Sequence, residues 1–71
     1  MNLFEIETQK EYTIEKIETK DSEFDKFLFS LGCYGGESIT VISRRKSGCI
    51  VLIKNGKYSI DRGLAKSITV C

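Results

Sequence analysis

The sequence predicts a mainly β fold: a small, partly closed barrel of five short strands, with a helix inserted between strands 1 and 2. The chain has only 71 residues, enough for a single domain spanning residues 1–71 with little buried volume. One helical apolar stripe is followed by alternating apolar segments, two of which flank Asn55-Gly56, the strongest short hairpin signal. Closure is favoured because it removes exposed strand edges. The alternative is an open α+β sheet with the helix on one face.

The first strand is predicted over Glu11–Glu18, where Tyr12 and Ile14 alternate and Ile17 follows three positions later. This change of spacing indicates a bulge before the strand ends. A polar break, Thr19–Asp21, then separates the strand from the helix.

The helix is predicted to begin at Ser22, which forms a capping-box-like start with Asp25 three residues later. Apolar residues at i, i+3, i+4 and i+7 form one stripe that predicts packing against the barrel: Phe24, Phe27, Leu28 and Leu31. Gly32 is predicted to end the helix as a left-handed C-terminal cap. Phe29 lies off the stripe, so it is either covered by another element or exposed in a contact surface.

Four strands are predicted after the helix. Gly35-Gly36 marks a tight turn, and Ser38–Ser43 forms the second strand, with Ile39 and Val41 on one face. A polar loop over Arg44–Gly48 follows.

The hairpin strands are predicted over Cys49–Lys54 and Lys57–Asp61, and a two-residue turn between them pairs Ile53 with Tyr58. The inward face is then Cys49, Val51, Ile53, Tyr58 and Ile60. Ile50 and Leu52 fall on the opposite face, where another part of the chain or a partner must cover them. A single helical turn over Arg62–Lys66 and a last strand over Ser67–Val70, with Ile68 and Val70 inward, complete the barrel.

The sequence carries no catalytic constellation. It lacks His, the commonest general base and metal ligand, and it has neither a GxxxxGK[ST] phosphate loop nor a GxSxG motif. Cys33, Cys49 and Cys71 are too few and too scattered for a disulfide framework or a structural zinc site. We therefore expect no enzyme activity, no bound metal and no cofactor.

Charge divides the chain into two halves. Residues 1–36 carry four Lys and eight Asp or Glu, a net charge of −4, whereas residues 37–71 carry seven Lys or Arg and two acidic residues, a net charge of +5. Such asymmetry can steer a charged partner, but neutralisation of one half by the other within a small fold is the preferred interpretation.

Nucleic-acid binding is a minority hypothesis, carried by the basic residues Arg44, Arg45 and Lys46 on a predicted loop. Tyr58 is the only aromatic residue of the C-terminal strands and is predicted to point inward, so no nucleic-acid partner is expected. Failure of single-stranded RNA to be retained in a low-salt filter assay would remove the hypothesis. The longest apolar run, Cys49–Ile53, is too short to span a bilayer, and the N-terminus lacks a secretory pattern, so a cytoplasmic location is expected.

From the helix onward the sequence resembles the FeoA family, the small cytosolic proteins that accompany the bacterial ferrous iron transporter FeoB. Residues 31–37, LGCYGGE, are similar to the family's L-G-[LM]-x-P-G-x turn, and the strand segments 39–44, 50–53, 57–60 and 68–70, with Leu64-Ala65, follow the family's order. Two departures stand out. Gly35 occupies the usual Pro position, and the loop after the second strand has only Lys46-Ser47-Gly48 in place of a longer insertion.

The resemblance implies an SH3-like barrel without enzymatic activity or bound metal. The implied role is accessory: docking on the cytosolic part of FeoB, in the cytoplasm or peripherally at the inner membrane through that partner, and modulating iron uptake. The neighbouring alternative is a regulatory or nucleic-acid-binding module related to the C-terminal domain of iron-dependent repressors.

A barrel this small acts through its surface, so the candidate contacts are apolar residues off the predicted core. The candidate partner-binding residues are Leu28, Phe29, Tyr34, Ile50 and Leu52. Core packing is the preferred interpretation for Leu28, and both interpretations stay open for Phe29, Ile50 and Leu52. A groove for Pro-rich peptides is disfavoured because the chain has three Tyr and no Trp. Weak self-association through an exposed apolar face is a third alternative.

Overall fold

Five antiparallel strands form one sheet in the order β4-β3-β2-β1-β5 within residues 1–18 and 21–71, the part of the chain that the computed structural model describes. The elements are β1 (Glu11–Ile17), α1 (Ser22–Ser30), β2 (Ser38–Arg45), β3 (Gly48–Ile53), β4 (Gly56–Asp61), α2 (Arg62–Lys66) and β5 (Ile68–Val70). This order confirms the predicted mainly β fold, with a helix inserted between the first two strands. The predicted polar break falls partly on residues 19 and 20, which lie outside the described residues.

Strand β1 belongs to both halves of the sheet. Its first residues pair with β2, where Glu11 lies opposite Thr40, and its last residues pair with β5, where Ile17 lies opposite Ile68. The register with β5 shifts after Ile14, which confirms the predicted bulge. Because a bulge increases local twist and bends the strand, β1 can curve around the core while it serves two neighbours.

The buried core is wholly apolar among the described residues. Its members come from every strand, both helices, the turn after α1 and the N-terminal segment: Leu3, Ile6, Tyr12, Ile14, Leu28, Cys33, Ile39, Val41, Cys49, Val51, Ile53, Ile60, Ala65, Ile68 and Val70. Leu3 and Ile6 precede β1, and their place in the core was not predicted from the sequence. Their segment is tied to β5 by the Leu3 amide, which donates to the Ile68 carbonyl at 2.9 Å.

The β3–β4 hairpin turns one residue earlier than predicted. Lys54 and Asn55 are the two loop residues, because Ile53 lies opposite Gly56 and Val51 lies opposite Tyr58. The predicted pairing of Ile53 with Tyr58 is therefore wrong. Gly56 lies in strand β4 and not in the turn. Packing favours glycine at this position, because a Cβ there would lie 2.7 Å from carbons of the Tyr58 ring. Lys54 adopts the left-handed conformation instead, with φ of 54°.

The inward face of the hairpin is nevertheless the predicted one. The two registers differ by two residues along one strand, and side chains alternate with a period of two, so no residue changes face. Cys49, Val51, Ile53 and Ile60 are buried and Tyr58 is half-buried.

Strand β2 is longer than predicted. Arg44 pairs with Cys49 and Arg45 pairs with Gly48, so the predicted loop over Arg44–Gly48 shrinks to two residues, Lys46 and Ser47. The Arg44 guanidinium donates a hydrogen bond to the Ile6 carbonyl, which gives this strand end a contact with the N-terminal segment.

Helix α1 is capped by Asp21, not by Ser22. Asp21 has extended backbone angles, and its carboxylate accepts a hydrogen bond from the Glu23 amide at 2.9 Å. The predicted start with Ser22 at the cap is therefore wrong by one residue, because aspartate caps helices as well as serine does.

The C-terminal end of α1 is closed as predicted. The Cys33 amide donates to the Leu28 carbonyl at 2.9 Å and the Gly32 amide to the Phe29 carbonyl at 3.0 Å, with φ of +88° at Gly32. This pair of hydrogen bonds is a Schellman motif. Leu28 and Cys33, the two residues joined by the bond that spans more of the chain, both lie in the core.

The predicted Gly35-Gly36 turn is a four-residue turn from Tyr34 to Glu37. The Glu37 amide donates to the Tyr34 carbonyl at 3.1 Å, and Gly36, with φ of +91°, occupies the third position, as a type II turn requires. The turn is fixed to β1, because the Gly36 amide donates to the Ile14 carbonyl at 2.8 Å.

Substitution of Gly36 by Ala should lower the free energy of unfolding by about 1 kcal/mol, because an L-residue is strained in the left-handed region. A Cβ at Gly36 would have no heavy atom within 4 Å, so the cost is one of backbone conformation alone. Urea unfolding measures it. Gly36→Asn is the control and should lose less, since Asn tolerates this conformation better. An unchanged midpoint for Gly36→Ala would contradict the assigned turn.

The three thiols should react unequally. Burial raises the pKa of Cys33 to about 11 and also raises the pKa of Cys49, whereas Cys71 is exposed. We expect Ellman's reagent to titrate Cys71 rapidly in the native protein, and Cys33 and Cys49 only after unfolding. A Cys71→Ser variant should show no fast phase, and a fast phase in that variant would show that the core opens.

Candidate interaction surface

Helix α1 leaves three phenylalanine rings exposed to solvent. Phe24 is 45% exposed, Phe27 48% and Phe29 66%. Leu28 is the only buried residue of the helix, and Leu31 is half-buried. The prediction that Phe24 and Phe27 pack against the barrel is therefore only half right, since about half of each ring is uncovered. The reason is that α1 is anchored at its C-terminal end, through Leu28 and the Schellman turn.

Phe29 packs against Tyr34 in the turn that follows the helix. Their ring centroids are 4.9 Å apart with an interplanar angle of 32°, within the range of favourable aromatic pairs. The Lys54 ammonium lies 6.0 Å from the Tyr34 ring centroid and 3.1 Å from the Glu37 carboxylate. We call Phe29, Tyr34, Glu37 and Lys54 the aromatic–ionic cluster.

Lys54 links the β3–β4 turn to the end of α1. Its stem lies across Gly32, where a Cβ would approach the Lys54 Cε to 2.7 Å. Gly32 therefore serves two purposes: it takes the left-handed conformation of the cap and leaves space for the lysine stem. The cluster is held in place from three sides, by α1, by the turn and by the hairpin.

The ion pair of the cluster shifts the pKa of both partners. The hydrogen bond from Lys54 lowers the pKa of the Glu37 carboxyl, and the same bond raises the pKa of the Lys54 ammonium. Both side chains are partly exposed, 30% for Glu37 and 54% for Lys54, so solvent screens the pair.

Ile50 and Leu52 lie on the outer face of β3, as predicted. Leu52 is half-buried between Thr40 of β2 and Lys57 of β4, and Ile50 is 40% exposed beside Ser59. Ile50 also lines a shallow groove of about 570 Å³ on this face.

The structure thus separates the five residues proposed from the sequence. Phe29 and Tyr34 are in ring contact after α1, Ile50 and Leu52 share the outer face of β3, and Leu28 is 0% exposed in the core. Leu28 therefore cannot contribute to a surface reached by a partner.

A second groove, of about 510 Å³ and mainly apolar, was not foreseen from the sequence. It lies between the start of α1 and helix α2, and its lining residues are Glu18, Asp21, Phe24, Asp61, Gly63, Leu64 and Ser67. We call it the α1–α2 groove. Its two walls lie about forty residues apart in the chain, so no local pattern could join them.

Several basic side chains are engaged within the molecule. Arg62 and Lys66 lie over the Phe4 ring, 5.5 and 6.0 Å from its centroid, and Arg44 and Lys54 make the contacts described above. The ion pairs Lys16–Glu18 and Lys54–Glu37 each lie within one half of the sequence, so neither neutralises one half by the other.

Within the described ranges, 1–18 and 21–71, no three His, Cys, Asp or Glu residues are grouped so that they could hold a metal ion. Neither helix of this part of the chain has the length and hydropathy needed to cross a membrane.

The Glu37 carboxyl should titrate at higher pH when Lys54 is replaced by Met. In the wild-type protein the Lys54 ammonium lowers the pKa of Glu37. The Lys54→Met change removes that ammonium but keeps an unbranched stem over Gly32. NMR titration of Glu37 measures the pKa directly, and Lys57→Met in the next strand is the matched control. Because the folded-state pKa is lowered, the stabilisation by ionised Glu37 is present above its unfolded pKa and is lost as the pH falls through the folded one. An identical pKa in the wild-type and Lys54→Met proteins would contradict the pair.

Comparison with known proteins bears on the whole chain. A family model described as FeoA domain matches residues 1–71. A comparison with curated protein sequences gave no match.

Solved structures with the same fold include three of particular interest. An iron uptake regulatory protein (FeoA) is 24% identical, with a TM-score of 0.84 over 99% of this chain and 93% of that chain. FeoA from Stenotrophomonas maltophilia, complexed with zinc and described as a prokaryotic SH3 domain protein, is 17% identical, with a TM-score of 0.86 over 100% and 89%. A manganese-dependent transcriptional repressor is 19% identical, with a TM-score of 0.88 over 99% of this chain but 39% of that one. At these identities the likeness is one of fold, and it confirms the SH3-like barrel.

Proposed function

Because this chain belongs to the FeoA family, we propose that it is a cytoplasmic accessory protein of bacterial ferrous iron uptake, which docks on the cytosolic part of a FeoB-type transporter. Proteins of this fold include one put forward as an activating factor of bacterial ferrous iron transport. The transporter partner and the regulation of transport are parts of the proposal.

The aromatic pair of exposed Phe29 and half-buried Tyr34 is the observation that carries the proposal. Phe29 is 66% exposed, although it contacts Tyr34, so a large apolar area is presented to solvent. Aromatic residues dominate the binding energy of protein interfaces. Lys54 and Glu37 hold Tyr34 in place before any partner arrives, which reduces the entropy lost on binding.

The rest of the molecule fits a role in protein binding. The core of the described residues is apolar, and both grooves are open to solvent, a shape that suits contact with another macromolecule. Ile50 and Leu52 on the outer face of β3 present a second, separate apolar area between polar neighbours, and we include it in the proposed contact.

A nucleic-acid-binding role is less well supported. Arg44, Lys54, Arg62 and Lys66 already make contacts within the molecule, and Tyr58 is half-buried on the inner face. The likeness to the manganese-dependent repressor covers 39% of that chain and is one of fold, whereas the FeoA model spans residues 1–71. The accessory role is therefore the better account.

Replacement of Phe29 and Tyr34 by Ser should weaken capture of the cytosolic domain of a FeoB-type transporter by tenfold or more, roughly what the loss of one aromatic hot spot costs. The fold should survive, because Phe29 is largely exposed and the half-buried Tyr34 does not belong to the core. Immobilised transporter domain and purified variants measure the affinity. Phe27→Ser is the matched control, since it removes another exposed ring from a different side of the same helix.

Two further variants test the separate contributions of the outer face of β3 and of the Tyr34 hydroxyl to capture. Ile50→Ser with Leu52→Ser tests the outer face of β3, and Tyr34→Phe keeps the ring pair while it removes the hydroxyl. Undiminished capture by the Phe29→Ser/Tyr34→Ser protein, with the control also unchanged, would exclude the aromatic pair as the docking surface.

A further inference from the structure

The chain treats the two edges of its sheet differently. At the β5 edge the N-terminal segment runs beside the strand, where Asn2 forms a bridge with Thr69. Strand β4 forms the other edge, and in the described part of the chain it pairs with β3 alone. An unpaired edge offers its backbone groups to one more strand. The N-terminal segment thus covers one edge of the sheet and leaves the β4 edge open to pairing.

The register of the hairpin shows which backbone groups of β4 are free. Ile53 and Gly56 flank the two-residue loop, so they exchange both of their hydrogen bonds, and every second pair along the hairpin does the same. The backbone groups of Lys57 and Ser59 therefore point away from β3. Within residues 1–18 and 21–71 they make no hydrogen bond to another segment.

Two opposite charges beside this edge are also unpaired. The Lys57 ammonium makes no ion pair or hydrogen bond among the described residues. The Asp61 carboxylate accepts a hydrogen bond from the Leu64 amide at 2.7 Å, and no cation of the described ranges forms an ion pair with it. Both residues are exposed, and they lie on the same face of β4, two positions on either side of Ser59.

We propose that β4 pairs with β4 of a second copy of this chain, antiparallel and about a two-fold axis at Ser59. In a two-fold dimer the same patch of both copies meets itself. Ser59 then lies opposite Ser59 of the second copy, and Lys57 lies opposite Asp61 of the second copy at each end of the pairing. The free backbone groups of β4 are the ones that this register joins by hydrogen bonds.

The remaining residues of β4 agree with this register. Tyr58 lies opposite Ile60 of the second copy, and aromatic and β-branched side chains are favourable neighbours across strands. Tyr58 is half-buried, so part of its ring is still uncovered. A shift of one strand by two residues would place Ser59 opposite Lys57 or Asp61 and would lose both ion pairs. Charge complementarity therefore favours a second copy over an unrelated strand.

Amide hydrogen exchange at different protein concentrations tests the pairing. In dilute protein the Lys57 and Ser59 amides should exchange rapidly, and the Tyr58 and Ile60 amides, which bond to β3, should exchange slowly. The Lys57 and Ser59 amides should become protected by about tenfold once the concentration is about ten times the dissociation constant of the dimer. Sedimentation should show the dimer mass over the same range of concentration.

Charge variants test the register. Lys57→Glu should weaken the dimer by tenfold or more, because two attractive cross-strand pairs become repulsive. Lys46→Glu is the matched control, since it makes the same change of charge in the exposed β2–β3 loop, and it should dimerise normally. Asp61→Asn removes a charge and keeps the cap of α2, so it should weaken the dimer less than Lys57→Glu does.

A thiol at the axis tests the geometry directly. Opposite residues of a hydrogen-bonded antiparallel pair have their Cα atoms about 5.5 Å apart, within the range that a disulfide spans. In a Cys71→Ser background, Ser59→Cys should oxidise to a covalent dimer. Ser47→Cys in the same background is the control, since it places an exposed thiol outside β4, and it should stay largely monomeric.

Three results would overturn the proposal. A monomer mass up to millimolar concentration would show that the edge does not pair with itself. A dimer that Lys57→Glu leaves unchanged would show that another surface joins the copies. Protection of the Lys57 and Ser59 amides only after addition of the transporter domain would show that the edge takes a strand of that partner. Strand β4 contains no residue of the aromatic–ionic cluster, and the chain is tested alone for dimer formation, so loss of the dimer would leave the proposed transporter contact untouched.

Discussion

The turn from Leu31 to Glu37 is the constraint on which the exposed face of the helix depends. Through it the chain leaves α1, inserts Cys33 into the core and binds β1, where the Gly36 amide reaches the Ile14 carbonyl. The same seven residues place Tyr34 against Phe29 and Glu37 against Lys54. A helix that buries one of its nine residues is thus held by its end, and its exposed rings are the consequence.

That turn also explains a departure from the FeoA pattern. Gly35 occupies the second position of the type II turn, where Pro is common because its fixed φ suits the turn. Gly35 does not need a positive φ, whereas Gly36 does. A glycine can therefore stand at the Pro position without a change in the path of the chain, at the cost of a more flexible unfolded state.

The sequence predicted the core better than it predicted the surface. Alternation decides which residues share a face of a strand, so Cys49, Val51 and Ile53 are inward even though the hairpin register was wrong by two residues. The turn itself could not be placed, because Lys54 takes a left-handed conformation in a turn where Asn55-Gly56 has the stronger local preference. The contacts of Lys54 with Gly32 and Glu37 join parts of the chain about twenty residues apart, and local preference does not include them.

The exposed rings of α1 are a second feature that local sequence patterns could not predict. Periodicity placed Phe24 on the stripe of Leu28, but periodicity states which residues share a helix face and not how far the barrel extends beneath it. The barrel covers Leu28 and leaves Phe24 beside α2, whose cap Asp61 comes from the far end of the sequence. The division of charge along the chain shows the same limit. The ion pairs Lys16–Glu18 and Lys54–Glu37 each stay within one half of the chain, so neither of them joins the acidic half to the basic half. Charges counted along the sequence therefore do not state which side chains meet in the fold, just as the apolar stripe of α1 does not state how much of it is covered.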